Sequence, residues 1–194
     1  MQPKDRILEA ALRLYNLNGI KAITTRHIAK EIAMSPGNLH YHYQHASDII
    51  LALFNKFTNE YREFIALSND HFVTDLEHLY LNNKTSFDII WKYRFGFLNI
   101  TEIMRILPEI KVSYNSLRKQ RQESFMRIVQ TFIRSGVFRK DLPLSVWESL
   151  ATQLNLFADF YLSYTQTIEF DENQIRTEYC RVYEDLIFTF ITGN

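Results

Sequence analysis

A single cysteine, Cys180, leaves this chain unable to close an internal disulfide, which suits a reducing compartment. Four prolines and five glycines are too few for an all-β chain of tight turns or for a disordered one, and they point to long helices. No apolar run approaches the roughly 18 residues of a membrane span, and the start carries no basic-then-apolar leader. A soluble, cytoplasmic protein with no membrane partner is expected. Net charge is missing too, with 22 Lys and Arg against 22 Asp and Glu, which taken alone argues against nucleic acid. Enzyme signatures are absent: there is no Glu-x-x-His pair, no Gly-rich phosphate loop, no Gly-x-Ser-x-Gly and no Cys–His nucleophile arrangement. No catalytic residue, cofactor or metal is therefore expected.

What is present is a large apolar fraction, 46% of 194 residues, enough to build one large domain or a small and a larger one. The charge is also unevenly spread. Residues 1–45 hold six Lys or Arg, three acids and four histidines, leaving 16 basic and 19 acidic residues for the remainder. A basic head on a slightly acidic body is the asymmetry of a DNA-binding unit on a body that does not touch DNA.

Periodicity makes the chain all-α, with about nine helices. Pro3 suits a first helical turn, Ile7, Leu8, Ala11, Leu14 and Tyr15 follow at helical spacing, and Asn18-Gly19 closes the helix. Thr24 caps a second helix that buries Ile28, Ala29 and Ile32, and Ser35 caps a third with Pro36 at its first position. Ser47 is expected to cap a fourth, running through Phe54 and Phe57 to Phe64 and linking head to body. A short helix is expected over Phe72–Leu81, another from Ser86 through Trp91 and Tyr93 to Phe97, and a long one from near Pro108 to Gly136. Ser145-Val-Trp-Glu148 and Asp171-Glu-Asn-Gln174 read as capping boxes for the last two helices. No linker rich in Gly, Ser or Pro separates the head (1–46) from the body (47–194), so the two should pack together.

Thr24 to Tyr43 carries the chemistry. Two short helices around a tight turn, the second opening Ser-Pro-Gly-Asn, form a helix-turn-helix, a device for entering the major groove. Ile28, Ala29, Ile32 and Leu39 hold the two helices together. Gly37 lets the backbone approach a base edge or phosphate, aided by the positive helix start. Asn38 can pair bidentately with adenine, and the polar tips of His40, Tyr41, His42 and Tyr43 reach phosphates. The alternative, a metal site at His40, His42 and His45, is disfavoured because the three do not share one helix face.

Ile7-Leu8-x-Ala-Ala11, Gly19, Thr25, Ile28-Ala29-Lys-Glu and Ser35-x-Gly-Asn-Leu-His-Tyr-His-Tyr43 together resemble the TetR family of bacterial transcriptional regulators. The resemblance implies that Thr24, Thr25, Arg26, Ser35, Pro36, Gly37, Asn38, His40, Tyr41 and His42 meet DNA, with Arg26 able to reach a base. It implies a ligand cavity in the body, for which Trp91, Phe95, Asn99, Met104, Tyr114, Phe125, Phe157 and Tyr161 are the candidate wall. Such a wall suits a flat or greasy small-molecule effector, and admits a cation through ring-face contacts. It also implies a homodimer through the last two helices, where Ala151 and Ala158, seven apart, would let partner helices approach, and hence a double-stranded inverted-repeat operator. Arg118, Lys119 and Arg121 read as a solvated helix face, and Cys180 as a small buried hydrophobe. Two positions depart from the family: Ala33 stands where the turn usually has Gly, and Ala46 where a Lys usually precedes the fourth helix. The function implied is a ligand-released repressor. A ligand-independent DNA-binding or adaptor protein, or an activator, stays open.

Overall fold

The computed structural model describes residues 2–70, 73 and 75–193. Among them are ten helices: α1 (Pro3–Asn18), α2 (Thr25–Glu31), α3 (Pro36–His42), α4 (Ala46–Asp70), α5 (Leu76–Lys92), α6 (Arg94–Leu98), α7 (Ile100–Ile106), α8 (Pro108–Ser135), α9 (Leu144–Thr165) and α10 (Glu172–Phe188). None among the described residues is long and apolar enough to cross a membrane. Among the described residues β pairing occurs at one isolated bridge, Phe138 with Ile191.

The first three helices form the head. Pro3 opens α1, which buries Ile7, Leu8, Ala10, Ala11 and Tyr15 and ends at Gly19 with φ 76°. Thr24 caps α2 reciprocally: its Oγ1 accepts from the His27 N–H (3.4 Å), while the His27 ring accepts from the Thr24 N–H (3.3 Å). Ser35 Oγ accepts from the Asn38 N–H (3.2 Å) to cap α3, with Pro36 in its first turn.

The turn between α2 and α3 is a Schellman motif. The Met34 N–H donates to the Ala29 carbonyl (2.9 Å) and the Ala33 N–H to that of Lys30 (3.2 Å). This needs a left-handed residue, and Ala33 supplies it at φ 51°. The same motif ends α8, with Val137 donating to Phe132 (2.9 Å) and Gly136 to Ile133 (3.2 Å), and there the left-handed residue is Gly136. Arg6 Nη2 locks the head's turn to α1 by donating to the Ile32 carbonyl (2.8 Å).

One apolar core runs through head and body. Ile7, Ile28 and Leu39 join Leu53, Phe57, Phe97, Ile110, Tyr114 and Tyr179 in a single cluster. Phe57 on α4 is its hub, in edge-on contact with Phe54, Tyr61, Tyr93 and Phe97. Each such ring pair adds ~0.5–1.5 kcal/mol to simple burial. A second cluster at the far end stacks Phe138 on Trp147, beside Phe132, Leu150 and Ile187.

Several expected boundaries move. Ser47 lies inside α4, which begins at Ala46; the His45 N–H is met instead by Asp48 Oδ2 (2.8 Å) from the first turn. Ser145 and Glu148 form no capping box, because Pro143, fixed at φ −68°, takes the N-cap position two residues earlier without a side-chain cap. Ser86 starts nothing. It is buried within α5, whose cap is Asp75, accepting from the His78 N–H (2.9 Å). The expected start at Phe72 lies outside the described residues. The expected run to Phe97 breaks at Tyr93, and a further break at Asn99 separates the short α6 from the short α7.

Replacing Ala33 with Gly should raise stability by about 1 kcal/mol, since Gly adopts φ 51° without a Cβ clash. A higher urea midpoint at unchanged slope checks this, and a lower one contradicts the strained turn.

Candidate nucleic-acid interface and body cavity

The head presents α3 outward. Of its residues only Leu39 is buried, held by α2, while Pro36, Gly37, Asn38, His40 and Tyr41 are exposed, Tyr41 to 85%. A Cβ built on Gly37 would meet nothing within 4 Å, and its φ is ordinary. Nothing within the described protein requires a missing side chain there. Arg26 is exposed on the first turn of α2, Thr25 is half-buried beside it, and exposed Thr24 and Ser35 are spent as caps. His42 is half-buried at the end of α3, its ring edge-on to that of Tyr41. These ten residues share the end of the head that α2 and α3 form.

The head is clamped to the body by Asn16. Its amide donates to the Lys92 carbonyl (2.9 Å) and accepts from the Phe95 N–H (3.0 Å), gripping the break between α5 and α6 from both sides. Tyr15 adds a ring contact to Phe95 at 5.6 Å. On the other flank Lys56 of α4 pairs with Asp5 of α1 (3.1 Å).

The body holds a cavity of about 120 Å³ between α4, α5, α8, α9 and α10. Phe64, Phe125 and Leu154 give it an apolar side, and Asn83, Arg121 and Asn155 a polar one. A void near 150 Å³ takes a benzene ring, so this one suits a single small ring or a short chain.

Beneath the cavity lies a buried charge cluster. Asp159 of α9 is 1% exposed. Its Oδ1 accepts a short hydrogen bond from the Tyr114 hydroxyl and another from Arg121 Nη1 (3.1 Å), while Oδ2 accepts from Arg118 Nε (2.7 Å). Each guanidinium also stacks on a ring, Arg118 over Tyr114 (5.0 Å) and Arg121 over Tyr61 (5.4 Å). Burial and the Asp159 charge hold the Tyr114 hydroxyl well above the usual phenol range. Burial alone would weaken the Arg121 proton, but the facing oxygens of Tyr61, Tyr114 and Asp159 outweigh it and keep the cation. Arg121 is therefore not on the solvated face expected, and Arg118, its side chain 35% exposed, is only partly so; Lys119 does face water, opposite Glu123 (3.9 Å). A signal was available, since Asp159 interrupts the stripe from Leu154 through Ala158 to Leu162.

The candidate wall residues do not converge. Phe125 lines the body cavity. Trp91 and Asn99 line a separate recess beside the end of α1, and Phe95 is packed in the core under Tyr15. Tyr114 is buried on Asp159, and Met104 packs against the core. Phe157 and Tyr161 pack on Tyr179 and line an outer groove with Leu156, Phe160, Tyr164 and Phe170. Those last four are exposed and make an aromatic strip on the outer face of α9 and the loop after it. Ala151 and Ala158 lie on the opposite, inner face and line the body cavity, so they cannot admit a partner helix. Cys180 is half-buried, and desolvation pushes its thiol up, as a small hydrophobe's surroundings would.

Comparison with known proteins gives matches along most of the chain. Residues 7–53 match a profile described as "Bacterial regulatory proteins, tetR family", and residues 56–191 one described as "Bacterial transcriptional repressor". The HTH-type transcriptional regulator QacR of Staphylococcus aureus is 32% identical over 93 residues, 48% of this chain and 50% of QacR, so the match spans about half of that relative's length. The HTH-type transcriptional repressor KstR2 of Rhodococcus jostii is 22% identical over 148 residues, covering 74% of this chain and 71% of KstR2. Among solved structures, a TetR-family regulator from Marinobacter aquaeolei VT8 superposes with TM-score 0.90 at 24% identity, over 100% of this chain and 93% of its own. A regulator from Saccharomonospora viridis, solved in complex with choline, gives TM-score 0.77 at 20% identity over 98% of both chains.

Two substitutions separate the interface from the scaffold. Gly37→Ala should leave urea stability unchanged or higher while weakening binding to duplex DNA by ~1–3 kcal/mol, the scale of one specific contact. Equal DNA affinity would show that nothing approaches that backbone. Asp159→Ala should cost ~3–5 kcal/mol, because it leaves the largely buried Arg121 guanidinium without its carboxylate and unpairs Arg118 as well. A loss below about 1 kcal/mol would show that Asp159 does not tie α8 to α9.

Proposed function

Since the chain belongs to the TetR family of bacterial transcriptional regulators, we propose that it is a homodimeric repressor of an inverted-repeat operator, released by a small effector held in the body. The observation that carries this reading is the head itself: a doubly capped helix-turn-helix whose second helix buries Leu39 alone and turns the rest outward. Pro36, Gly37 and Asn38 enter the major groove, Arg26 flanks it from α2, and Thr24, Thr25, Ser35, His40, Tyr41 and His42 meet the backbone. With Ala46 in place of a cation, one phosphate contact is lost, which lowers the salt slope by about one unit.

The aromatic strip of Leu156, Phe160, Tyr164 and Phe170 supports a dimer through α9 and α10. Exposed apolar surface of this kind marks association, and a twofold axis makes one strip its own partner. Two heads then face half-sites one or more helical turns apart, ~34–36 Å per turn. Repression is favoured over activation because the relative KstR2 is a repressor.

Effector release works through α4. Tyr61, Phe64, Ile65 and Ser68 line the cavity from its far half, while Ile49, Ile50 and Leu53 sit in the core shared with the head. A guest that favours one tilt of α4 changes head spacing, and its leverage is limited to its differential affinity, typically ~1–3 kcal/mol. A ligand-independent adaptor has no need of the cavity, which favours the ligand-responsive reading.

The test is a pair of charges on the strip, Phe160→Glu with Tyr164→Glu. Sedimentation should show a folded monomer, and footprinting on the DNA beside the protein's own gene should show affinity lower by roughly 10²–10⁴, the loss of linked half-sites. A dimer that survives, or a monomer that binds equally well, overturns this arrangement.

A further inference from the structure

We infer that the effector is an anion, a small carboxylate with an aromatic or short aliphatic body, and that Arg121 is its anchor. This rests on the body cavity being the effector site. Among the described lining residues Arg121 is the one formal charge, and there is no Asp or Glu. Asp159 stands behind Arg121, and its lone pairs are committed: Tyr114 and Arg121 share one oxygen, and Arg118 takes the other. Two guanidinium groups thus face one carboxylate, a surplus of one positive charge at a site where Arg121 is only 11% exposed. Among the described residues Asp159 is the one hydrogen-bond acceptor for Arg121, which carries five N–H donors. The guanidinium is already oriented, by the carboxylate at one edge and the Tyr61 ring at 5.4 Å. Such a pre-aimed fork on a largely buried side chain is matched to a carboxylate. The amides of Asn83 and Asn155 add neutral donors around it, and Phe64, Phe125 and Leu154 take an apolar body. A cationic guest, admissible on the aromatic wall alone, would meet the like charge of Arg121 in the same small space.

The test uses the full-length protein and matched probes: benzoate, phenylacetate and hexanoate, their amides, and benzylammonium and hexylammonium. Calorimetry should show at least one carboxylate binding tenfold or more tighter than its amide, and no ammonium binding as tightly as that carboxylate. Arg121→Met should erase the preference. Should that variant fail to fold, Gln122→Glu, which places a negative charge in the wall, should weaken the carboxylate tenfold or more without affecting its amide. The assignment is overturned if no carboxylate exceeds its amide tenfold, if an ammonium binds as tightly, or if the preference survives whichever variant folds. Operator footprinting with the same probes keeps the two readings apart. An amide or ammonium that releases DNA leaves the ligand-responsive repressor standing and removes only the anion. Loss of footprinting without any probe removes the repressor itself.

Discussion

The head has no core of its own. Its three helices pack on one another, and Ile7, Ile28 and Leu39 belong to the same continuous cluster as Phe57 of α4. Asn16 fixes the seam by pairing both ways with the backbone where α5 gives way to α6. Everything ascribed to the molecule follows from this continuity. A reading helix can be aimed from the body only if no soft joint lies between them, and here the joint is filled by packed rings and a reciprocal amide clamp. Lys56 with Asp5 braces the opposite flank.

α9 divides the labour of the body between its two faces. Inward, Ala151, Leu154 and Ala158 border the cavity; the alanines are small, and the room they leave is part of the void. Outward, Leu156, Phe160 and Tyr164 form the strip suited to a second copy. Asp159 sits between the faces and ties the helix to α8 through Arg118 and Arg121. Cavity shape and the outer surface are thus carried by one rod, locked at its middle by the Asp159 charge cluster.

Much of the head was legible because its signals are local. Thr24 and Ser35 there, like Asp171 at the start of α10 in the body, each accept a hydrogen bond from the N–H group three residues on, and such caps are set by a handful of neighbouring residues. The turn position at Ala33 is marked by the family resemblance alone, and the structure gives it φ 51°. The body was harder to read. α9 is apolar on both faces, so its stripe does not say which face meets its own subunit, and Ala151 and Ala158, expected at a partner helix, border the cavity instead. Ser47 and Ser145 looked like caps, yet Asp48 and Pro143 set those helix starts. Arg118 and Arg121 looked solvated because their partner lies 41 and 38 residues away on another helix. Ligand-wall residues suffered most. Aromatic character marks both core and cavity, and only the packing separates Phe125, which borders the void, from Phe95 and Tyr114, which do not.

The continuity of head and body can be measured by native-state hydrogen exchange under increasing denaturant. If one core spans the seam, the slowest amides of α1, from Ile7 to Tyr15, will exchange only through the same global unfolding as those in the middle of α8. Release of the α1 amides at clearly lower denaturant, by a separate opening of the head, would contradict it.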